Sequence, residues 1–141
     1  TDGISVFPRM EAVQSRQPDG TAVTGRVRSG IEPFDTMLFG GYPAASATFI
    51  LGPSGSGKTT FGLQFLSACT PESPGVLFGF YETPARLMTK ARSVGVDLEG
   101  LVAQGAVEIV WQPDAENLVD ELAHRLVAAV RRRHASRVVV D

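Results

Sequence analysis

The sequence predicts an α/β domain built on a mostly parallel sheet covered by helices, and three observations carry that expectation. Short apolar runs alternate with helical stretches from residue 48 onward. The runs at 48–51, 76–80, 107–111 and 138–140 are nearly continuous in apolar character, as strands buried on both faces are. A glycine-rich turn at 52–57 joins the first run directly to a helical stretch.

The elements follow in order. Up to about Ser46 the chain is rich in Gly, Pro and polar residues. Gly3, Ile4, Ser5, Val6 and Phe7 read as a brief strand stopped by Pro8. Residues 14–25, with Ser15, Pro18, Asp19, Gly20 and Gly25, read as a linker. Phe34, Met37 and Leu38 at helical spacing predict a short helix ended by Gly40, Gly41 and Pro43. Residues 48–51 are expected to form a buried strand. A helix over 58–68 follows, with Phe61, Phe65 and Ala68 on one face. The second strand is 76–80, after which Thr83 as N-cap and Pro84 in the first turn open a helix through Leu87, Met88 and Ala91. Residues 107–111 form the third strand. Leu118, Leu122, Leu126 and Val130 recur every four residues and predict a long amphipathic helix over 117–133. Val138, Val139 and Val140 begin a fourth strand, closed by Asp141. No internal repeat is evident.

With 141 residues, 43% of them hydrophobic and 20% charged, the chain has material for one packed domain. A net charge of −2 argues against a generally basic surface that coats nucleic acid. The single cysteine, Cys69, leaves no internal disulfide to form and fits a reducing compartment. No apolar run approaches the ~20 residues that cross a bilayer. The opening Thr1-Asp2-Gly3 does not read as a signal peptide. A cytoplasmic protein is the expectation.

The most specific signal is the run Gly52, Pro53, Ser54, Gly55, Ser56, Gly57, Lys58, Thr59, which satisfies G-x-x-x-x-G-K-[ST] between an expected strand and an expected helix. Glycines at 52, 55 and 57 let the backbone turn tightly and aim N–H groups at phosphate oxygens. The helix that follows presents its positive dipole end to the same anion. Lys58 reaches the outer phosphates, and the Thr59 hydroxyl is placed to ligand Mg²⁺. These eight residues, with Thr60 after them, are the expected nucleotide-binding set, and ATP with Mg²⁺ is the expected ligand. Asp141 closes an apolar strand in the manner of a second magnesium-site carboxylate, which usually holds the ion through water.

Glu82 stands where the second strand ends, at the sheet edge that forms the ligand crevice in open α/β sheets. There it can orient or deprotonate the water that attacks the γ-phosphate. It can equally be a helix-entry acid beside Thr83, favoured by the dipole. Other candidates read as structural. His124 and His134 are too far apart for a metal site and read as surface histidines. The run Arg131, Arg132, Arg133 is what a last helical turn favours. Cys69 has no paired thiol and reads as inert. Trp111 and the phenylalanines read as core.

These motifs combine into a resemblance. Gly30-Ile31, Phe34-Asp35, Met37-Leu38 and Gly40-Gly41-Tyr42-Pro43, followed by the P-loop, resemble the opening of the KaiC and RecA/RadA-type ATPase core, and most closely the KaiC-like group. Residues 3–9 resemble the segment that joins the first ATPase domain of a tandem KaiC to its second. Residues 78–83 resemble the strand carrying the family's catalytic glutamates, and residues 137–141 its Walker B strand. The resemblance implies a RecA-like P-loop NTPase of three-layer α/β/α architecture, incomplete in this chain because the family core continues with further strands. It divides the chain into 1–28, a linker and short strand from a preceding domain or N-terminal extension, and 29–141, the first part of the ATPase domain. It also implies hexameric rings with nucleotide between subunits, regulatory protein partners, and, in KaiC itself, serine/threonine autokinase activity.

One departure matters. The family usually has two adjacent glutamates after the second strand, and the matching positions here are Tyr81 and Glu82. A tyrosine, with a reference pKa near ~10, cannot replace a carboxylate base at neutral pH. The expected activity is therefore slow ATP hydrolysis, with Lys58 and Glu82 as the catalytic pair and Thr59 and Asp141 at the metal. Two rivals remain open. One is an ATP-sensing regulatory module that does not turn over, which Tyr81 favours. The other is a RecA/RadA-like DNA-dependent ATPase, which the acidic balance and the lack of an aromatic-basic strand-binding stretch disfavour.

Overall fold

The chain is described from a computed structural model, which covers residues 6–12, 24–113 and 119–141. The expectations for residues 1–5, 13–23 and 114–118, including the start of the expected N-terminal strand, most of the linker and Leu118, lie outside the described residues. Val6 and Phe7 have no regular structure, and a single 3-10 turn follows at Met10–Ala12.

Two short strands, β1 (Arg26–Val27) and β2 (Tyr42–Pro43), pair antiparallel and enclose α1 (Glu32–Met37). The connection is tied by polar groups. The buried Asp35 carboxylate accepts the Ser29 N–H at 2.7 Å. Hydrogen bonding from Ser29 holds that carboxyl below its usual range. Arg26 donates to the Leu38 and Gly41 carbonyls, each at 2.9 Å, and so closes the far end. This layer packs through Phe34 and Tyr42 onto α2 (Lys58–Leu66), edge-on against Phe61 and Phe65. The face of α2 bearing Phe61 and Phe65 thus meets an aromatic cover, while Leu63 and Leu66 enter the main core.

The main sheet is parallel, as expected. β3 (Gly75–Gly79) lies between β4 (Val107–Trp111) and β5 (Arg137–Val140), with Leu77 opposite both Ile109 and Val139. Every residue of β3 is buried. Alternation sends Leu77 to one face, where it joins Leu63, Leu66, Leu87, Ala91, Leu98 and Leu101. These come from α2, α3 (Pro84–Ser93) and α4 (Leu98–Ala103). Val76 and Phe78 point to the other face, the side left to α5 (Val119–Arg133), which runs against β3. Helices on both faces give the three-layer α/β/α arrangement. Thr83 caps α3 through its hydroxyl, which accepts the Arg86 N–H, and Pro84 opens the helix as anticipated. α4 was not anticipated; its signal is Asp97, whose carboxylate accepts the Gly100 N–H.

Four expectations require correction. Residues 48–51 do not form a strand and are not buried: Phe49 is 87% and Leu51 91% exposed. A cavity of about 650 Å³, lined by residues 46–50 on one side and 136–141 on the other, separates this run from β5. An apolar run becomes a strand only where a neighbour accepts its backbone hydrogen bonds, and here the neighbouring edge is out of reach. Trp111, the last residue of β4, is 38% exposed, whereas Val107 at its start is buried. Among the phenylalanines Phe78 is core, but Phe39 and Phe49 face solvent. His124 is half-buried, under Phe7 at 6.1 Å between ring centroids, with Nε2 2.7 Å from the Pro8 carbonyl; His134 is exposed as expected.

Gly40 and Gly41 both adopt positive φ, 107° and 113°, in a region nearly closed to other residues. They differ in their surroundings. A Cβ at Gly41 would lie 2.4 Å from the Val27 carbonyl oxygen, whereas one at Gly40 would meet only the Arg26 side chain at 4.0 Å. Gly40→Ala should therefore lose about 1–3 kcal/mol from backbone strain alone. Gly41→Ala should lose clearly more, because β2 must also retreat from β1. Urea unfolding midpoints of the two variants provide the comparison, and equal losses would remove the steric contribution.

Candidate nucleotide-binding site

The P-loop turns where the glycines permit it. Gly55 and Gly57 take φ of 81° and 90°, and Gly57 is the left-handed residue that opens α2. No side chain caps α2, so its first N–H groups are available to an anion at the positive end of the helix dipole. Residues 52–56 are exposed, and 57–60, including Thr60, are half-buried at the start of α2. Lys58 folds back over the loop, donating from Nζ to the carbonyls of Gly52 at 2.9 Å and Pro53 at 2.8 Å. Its ammonium is thereby held across the mouth of the loop.

Asp141 reaches the same place from the other end of the chain. β5 runs parallel to β3, and Asp141 continues that ladder: its N–H donates to Phe78 O and its carbonyl accepts the Phe80 N–H, both at 3.0 Å. α2 packs closely on β5 at Gly62, where a Cβ would come within 2.8 Å of Val139. The two constraints bring the Thr59 hydroxyl, 82 residues away in sequence, to donate to Asp141 Oδ2 at 2.7 Å. A hydroxyl and a carboxylate oxygen side by side are a donor set suited to a hard cation that keeps several waters and takes further oxygens from phosphates, as Mg²⁺ does.

Beside this pair lies a cavity of about 150 Å³ lined by Thr59, Leu77, Gly79, Tyr81, Glu82, Leu87 and Asp141. Glu82 lies in the turn that leaves β3, and its carboxylate is ion-paired with Lys90, eight residues on in α3. Tyr81 is 80% exposed at the rim. Lys58, Thr59, Asp141 and Glu82 are thus gathered at one end of the sheet. Sequence reasoning missed Leu87 as a wall of the cavity and Lys90 as the partner of Glu82. The available signal was their spacing: Leu87 and Lys90 lie three apart, on one flank of a helix.

The remaining candidates have structural settings. Arg132 and Arg133 bind Glu108 on β4, and Arg133 also donates to the Gly105 carbonyl. That leaves only Arg131 of the basic run outside this network. Cys69 is buried and its thiol is pushed up by desolvation, as an inert cysteine should be. Among the described residues no group of three or more His, Cys, Asp or Glu side chains gathers for a metal. No helix among them is long and apolar enough to cross a membrane.

Comparison with known proteins identifies the family. The family model described as "ATPase: KaiC" matches residues 27–141. The chain is 36% identical over 126 residues to the circadian clock oscillator protein KaiC of Prochlorococcus marinus subsp. pastoris, covering 82% of this chain and 25% of that protein. The KaiC of Synechococcus elongatus is likewise 36% identical over 126 residues, covering 82% and 24%. That of a Nostoc species is 31% identical over 144 residues, covering 94% and 28%. The chain therefore spans about a quarter of the length of the curated relatives it matches. A nucleotide-binding α/β domain of RecA-like P-loop architecture, the chain belongs to the KaiC ATPase family.

Proposed function

We propose that this domain binds ATP with Mg²⁺ in the P-loop and hydrolyses it slowly. The observation that carries the proposal is the 2.7 Å contact between Thr59 and Asp141, which joins the end of the phosphate loop to the end of β5 beside a cavity that Glu82 also lines. The P-loop N–H groups and Lys58 bind the phosphates, Lys58 exchanging a loop carbonyl for an outer phosphate oxygen. Thr59 and Asp141 hold the magnesium ion, which when bound neutralises charge on the phosphates. Glu82 orients the attacking water and accepts its proton. Catalysis comes mainly from positioning and charge neutralisation.

A second reading, an ATP-sensing module without turnover, is favoured by one observation: the residue before Glu82 is an exposed tyrosine and supplies no carboxylate. A DNA-dependent ATPase is less well supported, since Arg132 and Arg133 are engaged by Glu108. By resemblance to the family, the protein also self-associates into hexameric rings with nucleotide between subunits, and cytoplasmic location and autokinase activity belong to the same proposal.

Lys58→Ala removes the charge facing the outer phosphates and leaves the backbone cradle. A charged hydrogen bond is worth about 1.5–3 kcal/mol, so ATP affinity by calorimetry should fall roughly 10- to 150-fold. Unchanged affinity would show that the phosphates bind elsewhere. Thr59→Ala and Asp141→Ala should each weaken Mg²⁺-dependent binding, and a double-mutant cycle should give a coupling of about 0.5–3 kcal/mol. Strictly additive losses count against a shared ion.

Glu82→Gln in the whole protein separates the two readings. Loss of a positioned base should lower turnover by about 10²–10⁴-fold with ATP affinity nearly unchanged. In a sensing module Glu82→Gln does little, and Tyr81→Glu raises turnover. Wild-type turnover in Glu82→Gln removes Glu82 from the catalytic set.

A further inference from the structure

We propose that Lys90 is a positioning residue for Glu82, holding its carboxylate at the cavity it shares with Thr59 and Asp141; this rests on the reading of Glu82 as the group that orients and deprotonates the water. Glu82 belongs to no helix or strand, since it lies in the turn between β3 and α3. A glutamate there has three side-chain torsions to restrict and no regular backbone to restrict them. Among the described residues, the ion pair with Lys90 is the one salt bridge Glu82 makes. Lys90 is itself rooted firmly, because Leu87 and Ala91 on the same helix are 1% and 0% exposed in the main core. Leu87 also walls the cavity, and Lys90 stands one turn further along that flank. The lysine side chain leans toward the helix N-terminus, as helical side chains do, and this carries its ammonium back to Glu82.

The two side chains remain 36% and 31% exposed. A pair so accessible contributes little to folding. Its consequence is geometric. In hydrolysis the water oxygen forms a bond to the γ-phosphorus as the bond from that phosphorus to the ADP oxygen breaks, and Glu82 takes the water proton. A carboxylate displaced by an ångström or so no longer meets that water in line.

The test is steady-state ATP hydrolysis by the whole protein carrying Lys90→Ala, Lys90→Gln, Lys90→Arg, Glu82→Gln, and Lys90→Ala with Glu82→Gln. Lys90→Ala and Lys90→Gln should lower kcat on the order of tenfold, with KM for ATP and the thermal unfolding midpoint nearly unchanged. Lys90→Arg, which retains the ion pair, should restore most of the rate. In the Glu82→Gln background Lys90→Ala should cost nothing further, since both act through one carboxylate. Lys90→Gln keeps the length of the side chain, so it decides the matter if the alanine variant folds poorly. A rate unchanged or raised without Lys90, or an equal loss in the Glu82→Gln background, overturns the positioning role. A Glu82→Gln protein that loses activity while the Lys90 variants retain it removes the positioning role alone. Wild-type turnover in Glu82→Gln removes the base as well.

Discussion

The β3 strand, paired along both edges and buried on both faces, is the constraint on which the other elements depend. A strand so placed exposes no backbone polar group without a partner, because β4 and β5 satisfy both edges. Its alternation then assigns the helices: Leu77 collects α2, α3 and α4 on one side, and Val76 and Phe78 are left to the side of α5. Register matters as much as burial. Pairing Phe78 with Val140 lets the ladder continue one residue to Asp141, and only that register sets this carboxylate beside Thr59. A slip of one residue would turn the aspartate to the opposite face.

The site is built from chain reversals at one end of this sheet. The P-loop and the turn carrying Tyr81 and Glu82 meet the end of β5 there, each belonging to a different connection. Their side chains are held by different forces. Asp141 is fixed by the sheet, Lys58 by carbonyls of its own loop, and Glu82 by an ion pair to α3. The sheet is the stiffest of these supports and a half-exposed ion pair the weakest. The groups proposed to bind phosphate and metal are therefore held more firmly than the one proposed to handle the water.

The N-terminal layer has a supporting part. β1, α1 and β2 make no ladder with the main sheet. Their aromatic residues instead cover α2, with Phe34 on Phe61 at 5.3 Å and Tyr42 on Phe65 at 5.7 Å. Phe65 is in turn capped by Arg137, whose guanidinium lies 4.6 Å from the ring centre and donates to the Phe65 and Arg28 carbonyls. The first residue of β5 is thus fastened to the helix that begins with Lys58 and Thr59. The same contacts that bury the aromatic rings hold α2 against β5 and keep the Thr59–Asp141 pair closed.

Much of this was determined by local pattern. The P-loop is a contiguous string whose spacing is its geometry. Thr83 and Pro84 mark a helix start by their own chemistry, and the apolar runs at 76–80, 107–111 and 138–140 needed only a sheet to join. Residues 48–51 have the same apolar pattern and no ladder, because strand formation depends on a neighbouring edge that no local pattern encodes. Trp111 and Phe49 are exposed for a related reason: hydrophobicity states a preference for burial but not which surface will be covered. The pairings Thr59–Asp141 and Glu82–Lys90 also needed the fold, the first because it joins residues far apart in the chain and the second because it depends on how α3 turns from β3. Sequence determined the phosphate loop and the alternation of elements, whose information lies within a few residues. Tertiary structure decided which carboxylate meets which hydroxyl or ammonium, since those distances are set by strand register and helix packing rather than by spacing along the chain.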